Sequence, residues 1–126
     1  MKSTDKVSNL VRNYFSSYES KDRKALEDLL SDDFSFSSPF DDHINKTDYL
    51  ERCWPNGENI QAFHIEKLFE VDNEAFICYE VERKTGAKFR NTEYFRVEGN
   101  KIREVEVFFG SENSKATSDV EILATG

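Results

Sequence analysis

The sequence predicts an α+β fold in which three N-terminal helices pack in a curved, mostly antiparallel sheet. In the first half of the chain, apolar residues recur at the spacing of one helix face. From Ile60 onward the period changes to two, which is typical of half-buried strands. Residues 95–110 form the clearest unit, two strands joined by a tight turn at Gly99-Asn100. Helices packed on a broad curved sheet predict a fold with a pocket.

The first helix is predicted from about Asp5 to Glu19. Its buried stripe consists of Val7, Leu10, Val11, Tyr14, Phe15 and Tyr18. Asp22 is predicted to cap a second, shorter helix that ends at residues 31–33. The buried side of this helix consists of Ala25, Leu26, Leu29 and Leu30.

A third helix is predicted to begin at Asn45, which forms a capping pair with Asp48 three residues later. Its buried side consists of Tyr49, Leu50, Cys53 and Trp54. Pro55-Asn56-Gly57 is predicted to terminate it. Before this helix, residues 34–37 alternate as a short strand, and Pro39 stops that strand or places it at an edge.

Four long strands follow, joined by turns at residues 72–73, 85–86 and 99–100. Their predicted ranges are Ile60–Val71, Glu74–Arg83, Ala87–Val97 and Lys101–Phe109. On the last strand, the alternation predicts one shared face for Arg103, Val105, Val107 and Phe109. Residues 111–126 are polar, so we expect one domain over residues 1–110 and a tail that is mobile or adds an edge strand.

Composition excludes several classes of function. The 126 residues carry a net charge of −8 without a Lys/Arg stripe, which disfavours nucleic-acid binding. No apolar segment is long enough to span a membrane, and residues 1–6 lack the apolar run of a signal peptide. Cys53 and Cys78 lie in separate predicted elements, which favours reduced thiols in a cytoplasmic protein. No cofactor is expected.

The order of elements and several local phrases resemble the nuclear-transport-factor-two-like superfamily, also called the SnoaL-like or ketosteroid-isomerase-like cone fold. The phrases are Tyr18-Glu19-Ser20-Lys21-Asp22, residues 29–34, Phe36-Ser37-Ser38-Pro39, Glu93-Tyr94-Phe95-Arg96-Val97 and the turn at residues 99–102. The resemblance covers about residues 7–110. It implies a cystatin-like cone with a central cavity that holds a small, usually apolar ligand, and dimers through the sheet.

The resemblance also implies roles for individual residues. Ketosteroid isomerase uses an Asp base, with a Tyr and a protonated Asp as oxyanion donors. Tyr14 falls at the position that resembles the tyrosine, and Glu93 at the position that resembles the protonated acid. The position that resembles the base is Ser38, and a serine hydroxyl without an adjacent base cannot abstract a carbon-bound proton at neutral pH. The isomerase reaction by that route is therefore not expected.

Strand alternation independently supports Glu93 as a candidate functional residue. It shares a strand face with Phe89, Asn91, Phe95 and Val97, where desolvation would raise the pKa of a carboxyl. Such an acid can donate a hydrogen bond or shuttle a proton. The alternative is an ion pair with a nearby arginine at the pocket rim.

The two histidines are weaker candidates. The ring-rich side of the first long strand looks inward, which sends His64 outward or to a dimer surface unless a bulge near Asn59-Ile60 reverses it. If His64 faced the pocket, it would be an effective acid–base group at neutral pH. His43 lies in a predicted polar loop with Asp41 and Asp42, and the spacing of the histidines does not predict a metal site. The candidate catalytic residues are thus Glu93, Tyr14 and His64.

Trp54 and Phe36 are predicted as the lid and wall of the open end of the cone, and Tyr18 and Tyr79 as polar tips in an apolar pocket. Core packing is the alternative role for all four. The full set of candidate ligand-binding residues is Tyr14, Tyr18, Phe36, Trp54, Tyr79, Glu93, Phe95, Val105 and Phe109.

Two functions remain open from the sequence. The first is a protein that binds a small apolar metabolite or acts on it as a non-metal isomerase, dehydratase or cyclase. The second is a non-catalytic association module whose cavity is filled by side chains. A homodimer is predicted through the outer face of the sheet, because Phe108, Tyr94 and Thr92 would otherwise leave apolar area in water.

Overall fold

The computed structural model describes residues 3–112, with side chains described for residues 7–110. These residues form three α-helices, one 3₁₀ helix and six strands. The helices are α1 (Ser3–Glu19), α2 (Arg23–Leu29) and α3 (Lys46–Arg52), and the 3₁₀ helix spans Trp54–Asn59. The strands are β1 (Leu30–Ser38), β2 (Asp41–Asn45), β3 (Ile60–Val71), β4 (Glu74–Arg83), β5 (Lys88–Glu98) and β6 (Lys101–Glu112). No helix among the described residues is long and apolar enough to cross a membrane.

One six-stranded sheet carries the fold, with its strands in the order β2-β1-β6-β5-β4-β3. The strands from β3 to β6 form the antiparallel meander that the sequence predicts. The last strand of the meander, β6, lies beside β1 and pairs with it in parallel. The sheet is therefore mostly antiparallel, with β1 and β2 extending the edge beyond β6.

The core lies between the helices and the inner face of this sheet. From α1 it takes the predicted stripe, in which Val11 and Phe15 are buried. From the sheet it takes the inward residues of the central strands, including Ile77, Phe95 and Val105. Rings dominate the contact: the Phe95 ring lies 5.0 Å from that of Tyr14 and 5.9 Å from that of Phe15. Burial of such rings supplies most of the stabilisation of a core this size.

The third helix begins directly after its predicted cap, Asn45, but the element order differs from a group of three helices at the N-terminus. Only α1 and α2 precede the sheet, and α3 follows the hairpin of β1 and β2, so three N-terminal helices are not confirmed. The predicted caps are correct: the Ala25 amide donates to Asp22 Oδ1 over 3.1 Å, and the Asp48 amide to Asn45 Oδ1 over 2.9 Å. Pro55-Asn56-Gly57 does not terminate the helical segment but forms part of the 3₁₀ helix, which Pro can open because it needs no amide donor there.

Two segments predicted as helix end or loop are strands. Residues 30–33 belong to β1, where Leu30 is buried by pairing with Ile102 of β6 and not on a helix face. Residues 41–43, predicted as a polar loop, begin β2 and pair back onto β1. His43 adopts a φ of 51° in this strand, a conformation that sequence alternation does not predict. The prediction for the tail falls mostly outside the described residues, although β6 continues to Glu112.

One bulge in β3 and one in β6 overturn the predicted alternation locally, whereas a further bulge in β3 between Ile60 and Ala62 leaves His64 on the outer face. In β3, Ile65 pairs with Tyr79 and Lys67 with Cys78, so Glu66 is the extra residue. Beyond it, Leu68 packs against the core and Phe69 turns outward, whereas uninterrupted alternation would place Phe69 on the inward, ring-rich side and Leu68 on the outer side. In β6, Val97 pairs with Ile102 and Arg96 with Glu104, so Ile102 and Val105 are both buried. Arg103 therefore does not share the inner face with Val105, as the alternation had predicted.

Candidate functional site

A cavity of about 330 Å³ lies between α1, α3 and the inner face of the sheet. Aromatic rings are the largest group of side chains in its wall, contributed by α1, α3, β1, β3, β4, β6 and the turn between β1 and β2. Two carboxyl groups, those of Glu93 and Asp41, also line it. A mostly apolar cavity with a few polar groups is typical of small-molecule sites.

Glu93 lies on the inner face of β5, where alternate residues from Phe89 to Val97 are all buried, as the sequence predicts. Only 3% of its surface is exposed. The Tyr79 hydroxyl donates a hydrogen bond of 2.5 Å to its Oε1 atom. Burial raises the pKa of Glu93 to about 7, and the Tyr79 and Tyr14 hydroxyls partly offset this by favouring the charged form. The carboxyl is therefore poised to exchange a proton near neutral pH.

The alternative of an ion pair at Glu93 does not match the geometry. Arg90 pairs with Glu66, with Nε 2.9 Å from Oε1. The Arg83 guanidinium lies 5.0 Å from the centre of the Phe89 ring. Within the described part of the chain, no salt bridge involves Glu93.

A short chain of hydrogen bonds holds Tyr79 in place. The Gly110 amide donates to Asn91 Oδ1 over 3.3 Å, and Asn91 Nδ2 donates to the Tyr79 hydroxyl over 3.4 Å. Only glycine fits at residue 110 in this approach, because a Cβ atom there would lie 2.3 Å from the Arg90 carbonyl oxygen. With its acceptor side occupied by Asn91, the Tyr79 hydroxyl directs its proton toward Glu93.

A second string of hydroxyls approaches Glu93 from the helices. Tyr49 Oη lies 2.5 Å from Tyr14 Oη and 2.6 Å from Tyr18 Oη. Burial raises the pKa of Tyr14 and of Tyr49 well above the usual value, so both hydroxyls keep their protons. The sequence places Tyr49 on the buried side of the third helix, but its role as the bridge between two tyrosines of α1 had no sequence signal.

The position that resembles the family's base also has a neighbour that sequence reasoning missed. Ser38 Oγ donates to Asp41 Oδ2 over 2.9 Å, because β1 and β2 pair at these two residues. Arg52 Nη2 lies 2.7 Å from Asp41 Oδ1. The expectation that Ser38 has no adjacent base is therefore wrong.

The structure brings most of the predicted ligand-binding residues together. The cavity wall includes Tyr14, Tyr18, Phe36, Tyr79, Glu93 and Phe109. Phe95 and Val105 are fully buried in the core behind the wall. Trp54 does not line the cavity either, but supports it from outside, with its ring 5.0 Å from that of Tyr18.

Neither histidine belongs to the cavity. His64 projects from the outer surface of β3, where its side chain is half exposed and Nε2 lies 3.2 Å from Glu82 Oε1. His64 is thus not brought together with Glu93 and Tyr14. His43 is exposed and its Nδ1 lies 2.6 Å from Asp42 Oδ1, which raises the pKa of its imidazole. Among the residues that the structure describes, no cluster of three or more His, Cys, Asp or Glu side chains is arranged to hold a metal ion.

Comparison with protein families and solved structures supports the same fold. The model of the SnoaL-like domain family matches residues 11–105. An NTF2-like protein of unknown function from Cytophaga hutchinsonii is similar, with 20% identity and a TM-score of 0.66 over 82% of this chain and 88% of that one. A provisionally assigned ketosteroid isomerase from Kribbella flavida has 13% identity and a TM-score of 0.71 over 94% and 87% of the two chains.

A third similar structure is that of SalBIII, an epoxide hydrolase/cyclase-like enzyme of pyran ring formation in the polyether salinomycin. It has 15% identity and a TM-score of 0.74 over 87% of this chain and 95% of that one. No curated protein matches the sequence. At these identities the likeness to the solved structures shows the fold alone.

Proposed function

This chain belongs to the SnoaL-like domain family, whose fold is shared by isomerases and cyclases, and from that premise we propose that it binds a small apolar metabolite in the cavity. It acts on this metabolite as a non-metal isomerase, dehydratase or cyclase. The observation that carries the proposal is the Glu93 carboxyl, which is buried at the cavity wall and bonded by Tyr79. Fold likeness alone would not support a reaction.

The proposed role of Glu93 follows from its environment. An acid–base group works best when its pKa lies near the working pH, and the pKa of Glu93 is raised to about 7. It can therefore take a proton from a ligand and return it in the same site. Tyr14 keeps its proton because burial raises its pKa, and in the resting site its hydroxyl favours the charged form of Glu93. Once Glu93 has taken a proton from the ligand, the Tyr14 hydroxyl can instead donate to a ligand oxygen on which negative charge develops.

The alternative function, an association module with a filled cavity, is less well supported. The space of about 330 Å³ beside Glu93 is large enough for a small metabolite. A buried carboxyl with a raised pKa also costs stability, and such groups concentrate at functional sites.

A small apolar ketone, 2-tetralone, tests both binding and chemistry. We expect titration calorimetry to detect binding, and NMR in D₂O to show exchange of the α-hydrogen for deuterium faster than in buffer. In this exchange the Glu93 carboxylate takes the α-proton, the carboxyl exchanges that proton for a deuteron of the solvent, and it returns the deuteron to the same carbon of the enolate. Glu93→Gln should slow it by about a hundredfold or more, because general acid–base catalysis contributes factors of that size.

Glu74→Gln is the matched control, because Glu74 accepts a hydrogen bond from Tyr94 over 2.8 Å on the exposed surface. It should leave the exchange rate unchanged. Binding without exchange would restrict the function to binding. The absence of both would overturn the proposal in favour of the association module.

We also propose a homodimer through the outer face of the meander, as the sequence predicts. This face exposes Phe76 and Phe108, and the Phe76 ring lies 5.3 Å from that of Tyr94. Phe69, 67% exposed, pairs with Phe76 across β3 and β4 and extends the apolar surface. Closed twofold pairs are the commonest way to cover such a patch.

The test of the dimer is light scattering at micromolar concentration. The mass should be twice the 14.7 kDa of the chain, and Phe76→Lys should return it to the single-chain value. Phe40→Lys, on an exposed residue at the cavity instead of the outer face, should leave the mass unchanged. A 14.7 kDa species of the unmodified protein would contradict the proposal.

A further inference from the structure

The cavity has a second group of polar residues, Ser38, Asp41 and Arg52, which we call the mouth cluster. All three line the cavity that Glu93 lines. The Arg52 side chain is 57% exposed, whereas Glu93 is 3% exposed, so the cluster lies at the open side and Glu93 at the closed side. A ligand that fills the cavity would contact both.

Within the mouth cluster, Asp41 is held by the protein itself. Its Oδ2 atom accepts the hydrogen bond from Ser38 Oγ, and Ser38 Oγ in turn accepts from the Phe40 amide over 3.1 Å. Only 10% of the Asp41 side chain is exposed, and its Oδ1 atom is buried. Asp41 therefore offers a ligand little accessible acceptor surface.

Arg52 is in the opposite situation. Of the described side chains that line the cavity, it is the one that is always cationic. Its Nη2 atom lies 2.7 Å from Asp41 Oδ1, but the contact lacks the direction of a hydrogen bond, so it is an attraction between charges. A guanidinium has five N–H donors in a planar fork, and here the fork is left available at the open side of the cavity.

The exposed cationic fork of Arg52 thus points to a ligand that brings a negatively charged group to this end. We propose that Arg52 receives a carboxylate of the ligand, so that the substrate class is a small apolar carboxylic acid with its reacting oxygen at the Glu93 end. Carboxylates match the guanidinium fork with two parallel hydrogen bonds, which also fixes the orientation of the ligand. This inference rests on the proposed function, because it names the substrate class for the same cavity.

A purely structural role for Arg52 is the competing explanation. Arg52 ends α3, where a cation interacts favourably with the helix dipole, and it neutralises Asp41. If this were its whole role, removing either partner of the pair would disturb the site in the same direction. If Arg52 binds the ligand, removing Asp41 should strengthen binding and removing Arg52 should weaken it.

Three probes with the same apolar body separate these cases: 2-naphthoate, 2-naphthamide and 2-naphthylmethylammonium. Titration calorimetry is done at pH 6, where naphthoate is ionised and Glu93, with a pKa of about 7, is mostly protonated. Naphthoate should bind at least about tenfold more tightly than the amide, as expected for a charge-assisted pair. The ammonium probe should bind most weakly.

Variants of Arg52 and Asp41 distinguish a ligand-binding role of Arg52 from a structural one. Arg52→Gln should abolish the preference for naphthoate, Asp41→Asn should increase it, and Asp41→Asn should not restore it in the Arg52→Gln background. Arg23→Gln is the matched control, because Arg23 is half exposed on α2 and pairs only loosely with Glu27 at 3.9 Å.

The outcomes separate this inference from the proposed function. Equal binding of naphthoate and naphthamide, a preference that survives Arg52→Gln, or tightest binding of the ammonium probe would overturn the carboxylate assignment and leave the proposed function standing. Failure of all three probes to bind would overturn both.

Discussion

Replacing Glu93 with glutamine is expected to make the protein more stable at pH 8 and to leave its stability nearly unchanged at pH 4.5. In the folded protein, burial raises the pKa of Glu93 from 4.5 to about 7. Each pKa unit corresponds to about 1.4 kcal/mol, so ionising this group in place costs about 3 kcal/mol. Glutamine has a similar volume, can still accept the hydrogen bond from Tyr79 and does not ionise.

The sign follows from the number of protons bound. Between pH 4.5 and pH 7 the folded state keeps the Glu93 proton and the unfolded state has lost it, so the free energy of unfolding falls as the pH rises. The contribution of the protonated group is complete below pH 4.5 and is lost above about pH 7. The variant lacks this dependence, and the difference between the two proteins should therefore grow over this interval and then level off.

Urea unfolding of both proteins from pH 4.5 to pH 8 measures this difference. Glu74→Gln, which alters the exposed Tyr94–Glu74 pair, should shift stability by less than about 1 kcal/mol at every pH. If wild type is instead the more stable protein at pH 8 and its advantage shrinks on acidification, Glu93 acts as an ion-pair partner. That result would remove the main candidate for catalysis.

Replacing Tyr49 with phenylalanine is expected to destabilise the protein by about 2 kcal/mol or more. Its hydroxyl is the one that joins Tyr14 and Tyr18, at 2.5 and 2.6 Å. All three side chains are buried, so the variant leaves two hydroxyls short of a partner, at a cost of about 1–3 kcal/mol each where water cannot replace it. The ring contacts of Tyr49 with Phe34 and Phe36 do not depend on the hydroxyl.

Tyr94→Phe is the control for this prediction. It removes one hydroxyl from a tyrosine whose partner, Glu74, is exposed and can turn to water. Both variants are compared in the Phe76→Lys background, in which the proposed dimer face stays open to water, and there the cost of Tyr94→Phe in urea unfolding should stay below about 1 kcal/mol. An equal loss in the free energy of unfolding for the two variants would mean that water in the cavity hydrogen-bonds to Tyr14 and Tyr18 in place of Tyr49. The string of hydroxyls would then add no stability.

Much of this fold was predictable because its determinants are local. The ends of β3 and β4 agree with the sequence pattern, since alternation and turn residues are properties of neighbours in the chain. The caps at Asp22 and Asn45 are local for the same reason. Alternation also placed Glu93 among buried residues of β5, because no bulge interrupts the pairing of β4 with β5.

The errors arose where a partner strand decides the outcome. The bulge at Glu66 depends on how β3 pairs with β4, and it turned Phe69 outward. The pairing of β5 with β6 likewise buried Ile102 beside Val105. A single extra residue reverses every side chain beyond it, and the pattern of one strand does not reveal where its partner requires that residue.

The site divides in the same way. By itself the sequence determined that a carboxyl at Glu93 and the rings of α1 face the interior, because these positions follow from the period of one element. Only the tertiary structure decided that Tyr49 joins Tyr14 to Tyr18 and that Asp41 meets Ser38 and Arg52. Periodicity fixes the face on which a side chain lies, whereas contact between side chains of different elements depends on strand register and helix packing, which the whole chain sets together.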